Sequence, residues 1–585
     1  MAAAAACRRA TSYTLRGPPA VSRAAKAAKP TTGDQFLDLL DANFNKPPPP
    51  KTRTENHSPT FATSGDPCLD FFFHVVPGTP ADTVSSLLAN AWAAEPATAL
   101  RLACNLRGVR GTGKADREGF YAAALWMHGS HPATLALNAR PVADFGYLKD
   151  LPEILHRVIH GGVSTRTPGK QAHLAAEGGL FARLRLRAAR KVPEHELRSK
   201  KARVAASEKR DQEEAAQAAV VRRKKRANAA ATAVESCYDR STLICEAIAR
   251  RLFPKGSAPD LPEDLPDAHY AFRARERLRK EAYVPLRHAL ELPETFMSAG
   301  EWGKVLYTRV ASVAMKNYKD HFIYHDQERF NGFLADVKSG KKKIAAGALL
   351  PHQILESAMD GEDEVADLQW KRMLDDLLAL GKLNNCLAVC DVSGSMAGLP
   401  MYVCVALGLL LSELCDEPWR HRVITFTAEP ELHRISGETL SEKAGFIREM
   451  EWGWNTDFQA VFDQLLRVAV AGKLPPERMV KRVFVFSDME FDQASSRPWE
   501  TDYEAITRKY AEAGYGDAVP QVVFWNLRGS ESVPVTAKQK GVALVSGFSK
   551  NMLKLFLDGD DTPSPRAVMD KAISGPMYEK LAVFD

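Results

Sequence analysis

The run Cys386-Leu387-Ala388-Val389-Cys390-Asp391-Val392-Ser393-Gly394-Ser395 decides the fold. Five apolar residues followed by an acid, two hydroxyls and a glycine read as a buried strand whose carboxyl end opens into a polar loop. Residues 402–414 come next and are apolar enough for a helix packed on a sheet. Strand, loop and helix make the first unit of a doubly wound α/β domain, whose ligands bind at the carboxyl ends of strands. The alternation continues to about residue 560, with strands predicted at 423–426, 483–487, 522–525 and 542–545, a helix at 458–470 and a closing helix at 549–557. Such a pattern predicts a parallel sheet covered on both faces.

One carboxylate with hydroxyls at alternate positions suits a hard cation that takes oxygen ligands near octahedral geometry, Mg²⁺ first. Asp391, Ser393 and Ser395 supply three oxygens, and the later sequence offers two more. Thr456 lies in the loop 452–457, just before the predicted helix, and Asp488 ends the strand 483–487. An Asp-x-Ser-x-Ser run, a Thr loop and a strand-terminal Asp resemble the metal-ion-dependent adhesion site of von Willebrand factor A domains. That resemblance implies metal held by the hydroxyls of Ser393, Ser395 and Thr456, with Asp391 and Asp488 acting directly or through water. A partner's Asp or Glu then fills the open position. This is recognition chemistry without a nucleophile, so a non-enzymatic binding protein is expected. An aspartyl-phosphate phosphatase needs a second acid where Ser393 stands, and a nucleophile elbow needs glycines that flank neither Ser393 nor Ser395.

At 585 residues and 45% apolar composition the chain is long enough for two or more domains. Nine scattered cysteines form no paired framework and read as reduced core residues of an intracellular protein. No apolar run reaches membrane-spanning length, so no membrane partner is expected. The net charge of +6 is uneven: six bases precede the first acid, Asp34, and residues 181–226 carry sixteen bases against six acids.

Five segments follow from these shifts. Residues 1–33, rich in Ala and Arg, read as an unstructured leader or an organellar transit peptide. Residues 34–180 read as helices punctuated by proline, with Pro96-Ala97-Thr98 recurring as Pro132-Ala133-Thr134 at a spacing of 36, the length of a helix-pair repeat. The turn 108–115 copies a phosphate loop, but Ala115 replaces the metal-binding hydroxyl and the preceding residues look helical. Residues 181–233 form a basic, solvated helix or a disordered insertion. Its bases Lys200, Lys201, Arg222, Arg223, Lys224, Lys225 and Arg226 are candidate contacts for RNA phosphates or a nuclear import signal. A second helical block, 234–380, is predicted to hold helices at 241–252, 269–290 and 305–337, with further bases at Arg273, Arg275, Arg277, Arg279, Lys280 and 341–343. Residues 381–585 form the α/β domain.

The stretches 67–73, 105–114, 368–372, 391–396, 452–458 and 486–492 resemble a plant and giant-virus domain-of-unknown-function family, number twenty-eight twenty-eight, that joins a helical region to a C-terminal A domain. Just before Cys237 the chain departs from that family, because Ala233 runs almost straight into 239–243 where members usually have more helix. The layout is also similar to TROVE-type RNA-binding proteins, in which a ring of helical repeats is closed by an A domain. The fold expected is therefore an α-helical repeat region followed by a Rossmann-like A domain. Two functions are expected as alternatives: Mg²⁺-dependent capture of an acidic protein partner, or binding of structured RNA. A cytoplasmic location is expected, with nuclear or organellar placement as the alternatives.

Overall fold

The apolar runs become strands where periodicity places them. The computed structural model describes residues 49–162, 164, 237–359, 363–426, 430–449, 456–494, 497, 499–557, 562 and 564–585. Two units divide the chain, one of residues 1–150 with 346–585 and the other of 151–345. These units cut across the five segments read from sequence, because residues 49–150 belong with the sheet.

In the first unit, β1 (Lys51–Arg53) and β2 (Pro59–Phe61) form an antiparallel hairpin. The main sheet holds β3 (Cys386–Cys390), β4 (Arg422–Thr425), β5 (Glu431–Arg434), β6 (Arg482–Ser487), β7 (Gln521–Asn526) and β8 (Val542–Ser546), in the order β5-β4-β3-β6-β7-β8. Five strands are parallel and β5 pairs antiparallel with β4, so the sheet is mixed and not wholly parallel as expected. The link 426–430 is too short for the crossover that a parallel neighbour needs. From β3 the chain passes to β4 on one side, and β6, β7 and β8 lie on the other. The order therefore reverses between the carboxyl ends of β3 and β6, which is where doubly wound sheets open a crevice.

Every residue of β3 and β6 is buried, as two covered faces require. Cys390 pairs with Phe486, and Phe486 with Trp525, so the three share a face. Helix Leu399–Leu414 lies on that face so tightly that a Cβ on Gly408 would stand 2.2 Å from the Cys390 sulfur. Phe524 points the other way and meets Phe458, at the start of helix Phe458–Gly472, with ring centres 5.4 Å apart. The closing helix 549–557 is a run of 3₁₀ turns, Lys550–Phe556.

Helices Pro96–Arg107 and Pro132–Leu137 begin on proline, as read from sequence, and Pro67–His74 does so as well. The lysine of the turn after Arg107 is not free to bind phosphate as in a phosphate loop. Lys114 is 1% exposed, and its amine donates to the carbonyls of Phe72 and Val75, the latter at 3.0 Å, and to Ser546 Oγ at 2.7 Å. It thereby ties the end of helix Pro67–His74 to the end of β8. Asn526 Nδ2 adds a bond to the Phe73 carbonyl at 3.2 Å.

The second unit is helical where described. Helices Cys237–Thr242 and Ile244–Leu252 are separated by Leu243 at φ 53°. Asp267–Arg277 continues through a π-helical turn, Leu278–Tyr283, into Val284–Leu290. Cys245, Ala249, Leu261, Leu265, Tyr270, Ala274 and Leu278 form one buried cluster in it. The helix expected at 305–337 begins only at Ser312, because Val305, Tyr307 and Val310 are buried from an extended and 3₁₀ path that mimics helical spacing. Arg275, Arg277, Arg279, Lys280 and Lys342 are held in ion pairs, so that set of bases serves the fold. Among the described residues no helix is long and apolar enough to cross a membrane.

Burial pushes the Lys114 amine down to about 7. A base whose pKa falls on folding adds stability as pH rises from there toward the ordinary lysine range, since the unfolded chain then holds more protons. Lys114→Ala is expected to cost about 2–4 kcal/mol in denaturant unfolding, because two helix-end carbonyls lose their donor. The difference from wild type should widen between pH 7 and 10, and a flat difference would refute the assignment.

Candidate metal centre

Asp391 and Asp488 follow the last residues of neighbouring parallel strands, at the reversal of strand order. Asp391 is fully buried and Asp488 is 3% exposed. Asp391 Oδ1 accepts the Ser393 amide at 2.9 Å, and its Oδ2 accepts the Ser487 hydroxyl at 2.5 Å. Ser487 in turn accepts the Met489 amide at 3.0 Å. Asp488 Oδ1 accepts the Glu490 amide at 3.2 Å. Neither carboxylate has a Lys, Arg or His within ion-pair distance among the described residues. Burial and the neighbouring Asp488 charge push Asp391 up to about 6, against the opposing pull of the Ser393 and Ser487 bonds.

Ser393 is buried and Ser395 exposed, with their hydroxyls 3.0 Å apart. The structure thus brings Asp391, Ser393 and Ser395 together, beside Asp488. Thr456 is buried at the same end of the sheet, tied to the loop after β6. Its amide donates to Asp492 Oδ2 at 2.7 Å, and the Asp492 amide donates back to its carbonyl at 3.1 Å. Phe458 stacks on Phe491 at 4.7 Å and fixes that join.

The residues fit a hard divalent cation on charge and donor type. Two buried carboxylates side by side are costly without a countercharge, and hydroxyl oxygens are suitable neutral ligands. Among the described residues no group of three or more His, Cys, Asp or Glu side chains is placed to hold a metal. The set here has two acids and draws its remaining donors from hydroxyls.

Three contributors escape a reading of the sequence. Ser487 looks like the last residue of a strand, yet its hydroxyl fixes Asp391. Asp492 lies four residues beyond Asp488 and anchors Thr456. Arg528 follows β7, and its guanidinium donates to the Ser395 carbonyl, which sets an exposed positive charge at the rim. No motif marks it. Glu490 and Asp492, the acids nearest Asp488 in sequence, are engaged in the fold: Glu490 accepts the Glu55 amide at 2.7 Å and Asp492 the Thr456 amide. The candidate RNA contacts Lys200, Lys201, Arg222, Arg223, Lys224, Lys225 and Arg226 lie outside the described residues.

Fold and site define a class: a mixed α/β sheet with a carboxylate and hydroxyl cluster at its strand-order reversal, joined to helices on its N-terminal side. Two family models match the chain. One, described as "Domain of unknown function (DUF2828)", covers 54–237 and 231–383; the other, "Domain of unknown function (DUF7788)", covers 385–578. The first spans more than half of the chain, and the chain belongs to that family. The "Uncharacterized protein L728" of Acanthamoeba polyphaga mimivirus is 28% identical over 530 residues, covering 87% of this chain and 85% of its own. The crystal structure of the Deinococcus radiodurans RO (RSR) protein aligns over 82% of this chain and 92% of its own at 17% identity. Its TM-score of 0.28 is too low to carry an argument.

Asp488→Asn removes the charge that opposes ionisation of Asp391. In chelator at pH 7.5 this variant is expected to be more stable than wild type by about 1 kcal/mol. A loss of stability in chemical denaturation would count against repulsion within the pair.

Proposed function

We propose that the sheet-bearing unit is a von Willebrand factor A-like binding module, which captures an acidic group of a protein partner through Mg²⁺ held by Asp391, Ser393, Ser395, Thr456 and Asp488. The observation that carries this reading is the pair of buried carboxylates that no cation among the described residues neutralises. When bound, the ion supplies an electrophilic position for a partner's carboxylate. The chain does the rest. Ser487 and the Ser393 amide orient Asp391, and the Asp492 bonds hold the Thr456 loop. Arg528, bonded to the Ser395 carbonyl, presents a positive charge to solvent, which favours an anionic partner. Engagement of Glu490 and Asp492 in backbone bonds supports binding over hydrolysis.

Thermal unfolding of the full chain with and without Mg²⁺ tests the reading. Ligand that binds only the folded state stabilises it by about 2.7 kcal/mol at a hundredfold excess over Kd. Wild type should gain stability and Asp391→Ala should not; equal responses would sink the proposal. Folded Asp391 holds its proton to a higher pH than an unfolded Asp, so without metal it favours folding below about pH 6 and loses that advantage above it. Protons therefore compete with metal, and the Mg²⁺-induced shift should shrink as pH falls through about 6.

A further inference from the structure

A cavity of about 370 Å³ opens beside the turn after Arg107, away from the residues assigned to metal. Its volume falls within the range of small-molecule sites. Three cations line it: Arg110, Lys550 and Lys554. Each is held by backbone carbonyls. Arg110 donates to Asp144 at 2.9 Å and Gly146 at 3.2 Å, Lys550 to Leu349 at 2.6 Å, and Lys554 to Gly111 at 3.1 Å. No carboxylate among the described residues forms an ion pair with any of them, and Asp376, the acid in the lining, is paired with Arg372 at 2.7 Å. Asn551 closes the floor by donating to the Val109 carbonyl at 3.3 Å. Met373, Leu377 and Leu380 make one apolar wall.

Three cations held in place around a concavity outnumber the one acid among its described lining residues, Asp376, whose charge acts on Lys550 and Lys554; such a set attracts an anion with several acceptor oxygens, and phosphate is the group that matches it. The apolar wall asks for an organic body. A polymer would need an open groove, whereas this cavity is bounded by the turn at 109–111, the helix Glu364–Leu378 and the turns at 550–554. We propose that the cavity binds a small phosphorylated molecule of about mononucleotide size, its phosphate on Arg110, Lys550 and Lys554 and its body against Met373, Leu377 and Leu380. The turn resembling a phosphate loop thus contributes Arg110 and a carbonyl that steers Lys554, while Lys114 stays buried in the fold.

Equilibrium dialysis of the full chain with radiolabelled inorganic phosphate and with AMP, in chelator, tests this apart from the metal centre. Both should saturate, AMP more tightly, and Lys554→Gln should weaken both about tenfold while Lys554→Arg largely restores them. Arg110→Gln, a change at an exposed position, should weaken them likewise and covers the event that Lys554→Gln fails to fold. The proposal is overturned if neither probe saturates, if both glutamine variants bind as wild type does, or if adenosine displaces AMP.

Discussion

The first unit turns on two carboxylates that the sheet forces together. Parallel pairing in register places Asp391 and Asp488 just past adjacent strand ends, and the reversal of strand order leaves no crossover helix to separate them. Burial removes the water that would screen them. Backbone amides and the Ser487 hydroxyl give partial compensation, enough to orient the oxygens but not to cancel two charges. A protein that keeps such a pair forgoes stability at that point, which is the usual mark of a place selected for binding.

The sheet is not a detachable domain. Lys114 reaches from the helical region to β8, the hairpin of β1 and β2 bonds Val533 through Phe61, and Glu490 accepts the Glu55 amide beside the candidate metal centre. Residues 54–57 thus brace the loop that carries Asp488. A fragment beginning near residue 380 would lack the helix Pro67–His74 that bonds Asn526 and Ser546, and would leave the Glu490 acceptor unpaired, so the centre's geometry depends on chain far from it in sequence.

Much of this was legible in the residues. β3 and β6 announce themselves as apolar runs that end in an acid, since a strand buried on both faces needs no alternation. Proline at the first helical position marked two helix starts, at Pro96 and Pro132. β5 was invisible because Glu-Leu-His-Arg at an exposed edge has neither an apolar run nor a turn signal. Lys114 was misleading for the opposite reason: lysine reads as solvated, and only the convergence of two helix-end carbonyls and Ser546 makes a buried amine tolerable. Ser487, Asp492 and Arg528 belong to the site through tertiary proximity, and no local pattern records that.

Charge at the rim bears on what such a module selects. A divalent ion held as proposed and balanced by Asp391 and Asp488 would leave a nearly neutral centre, which by itself would prefer an anion only weakly. Arg528 changes that balance. Anchored on the Ser395 carbonyl and open to solvent, it adds a positive charge next to the exposed Ser395, on the side from which the proposed acidic partner would approach. Because the guanidinium is exposed, its contribution would be screened by salt and expressed mainly in the rate of encounter, while under the proposed reading the buried oxygens would govern how long a partner stays. Division of the work between an exposed Arg and a buried acidic pair follows from their solvation alone.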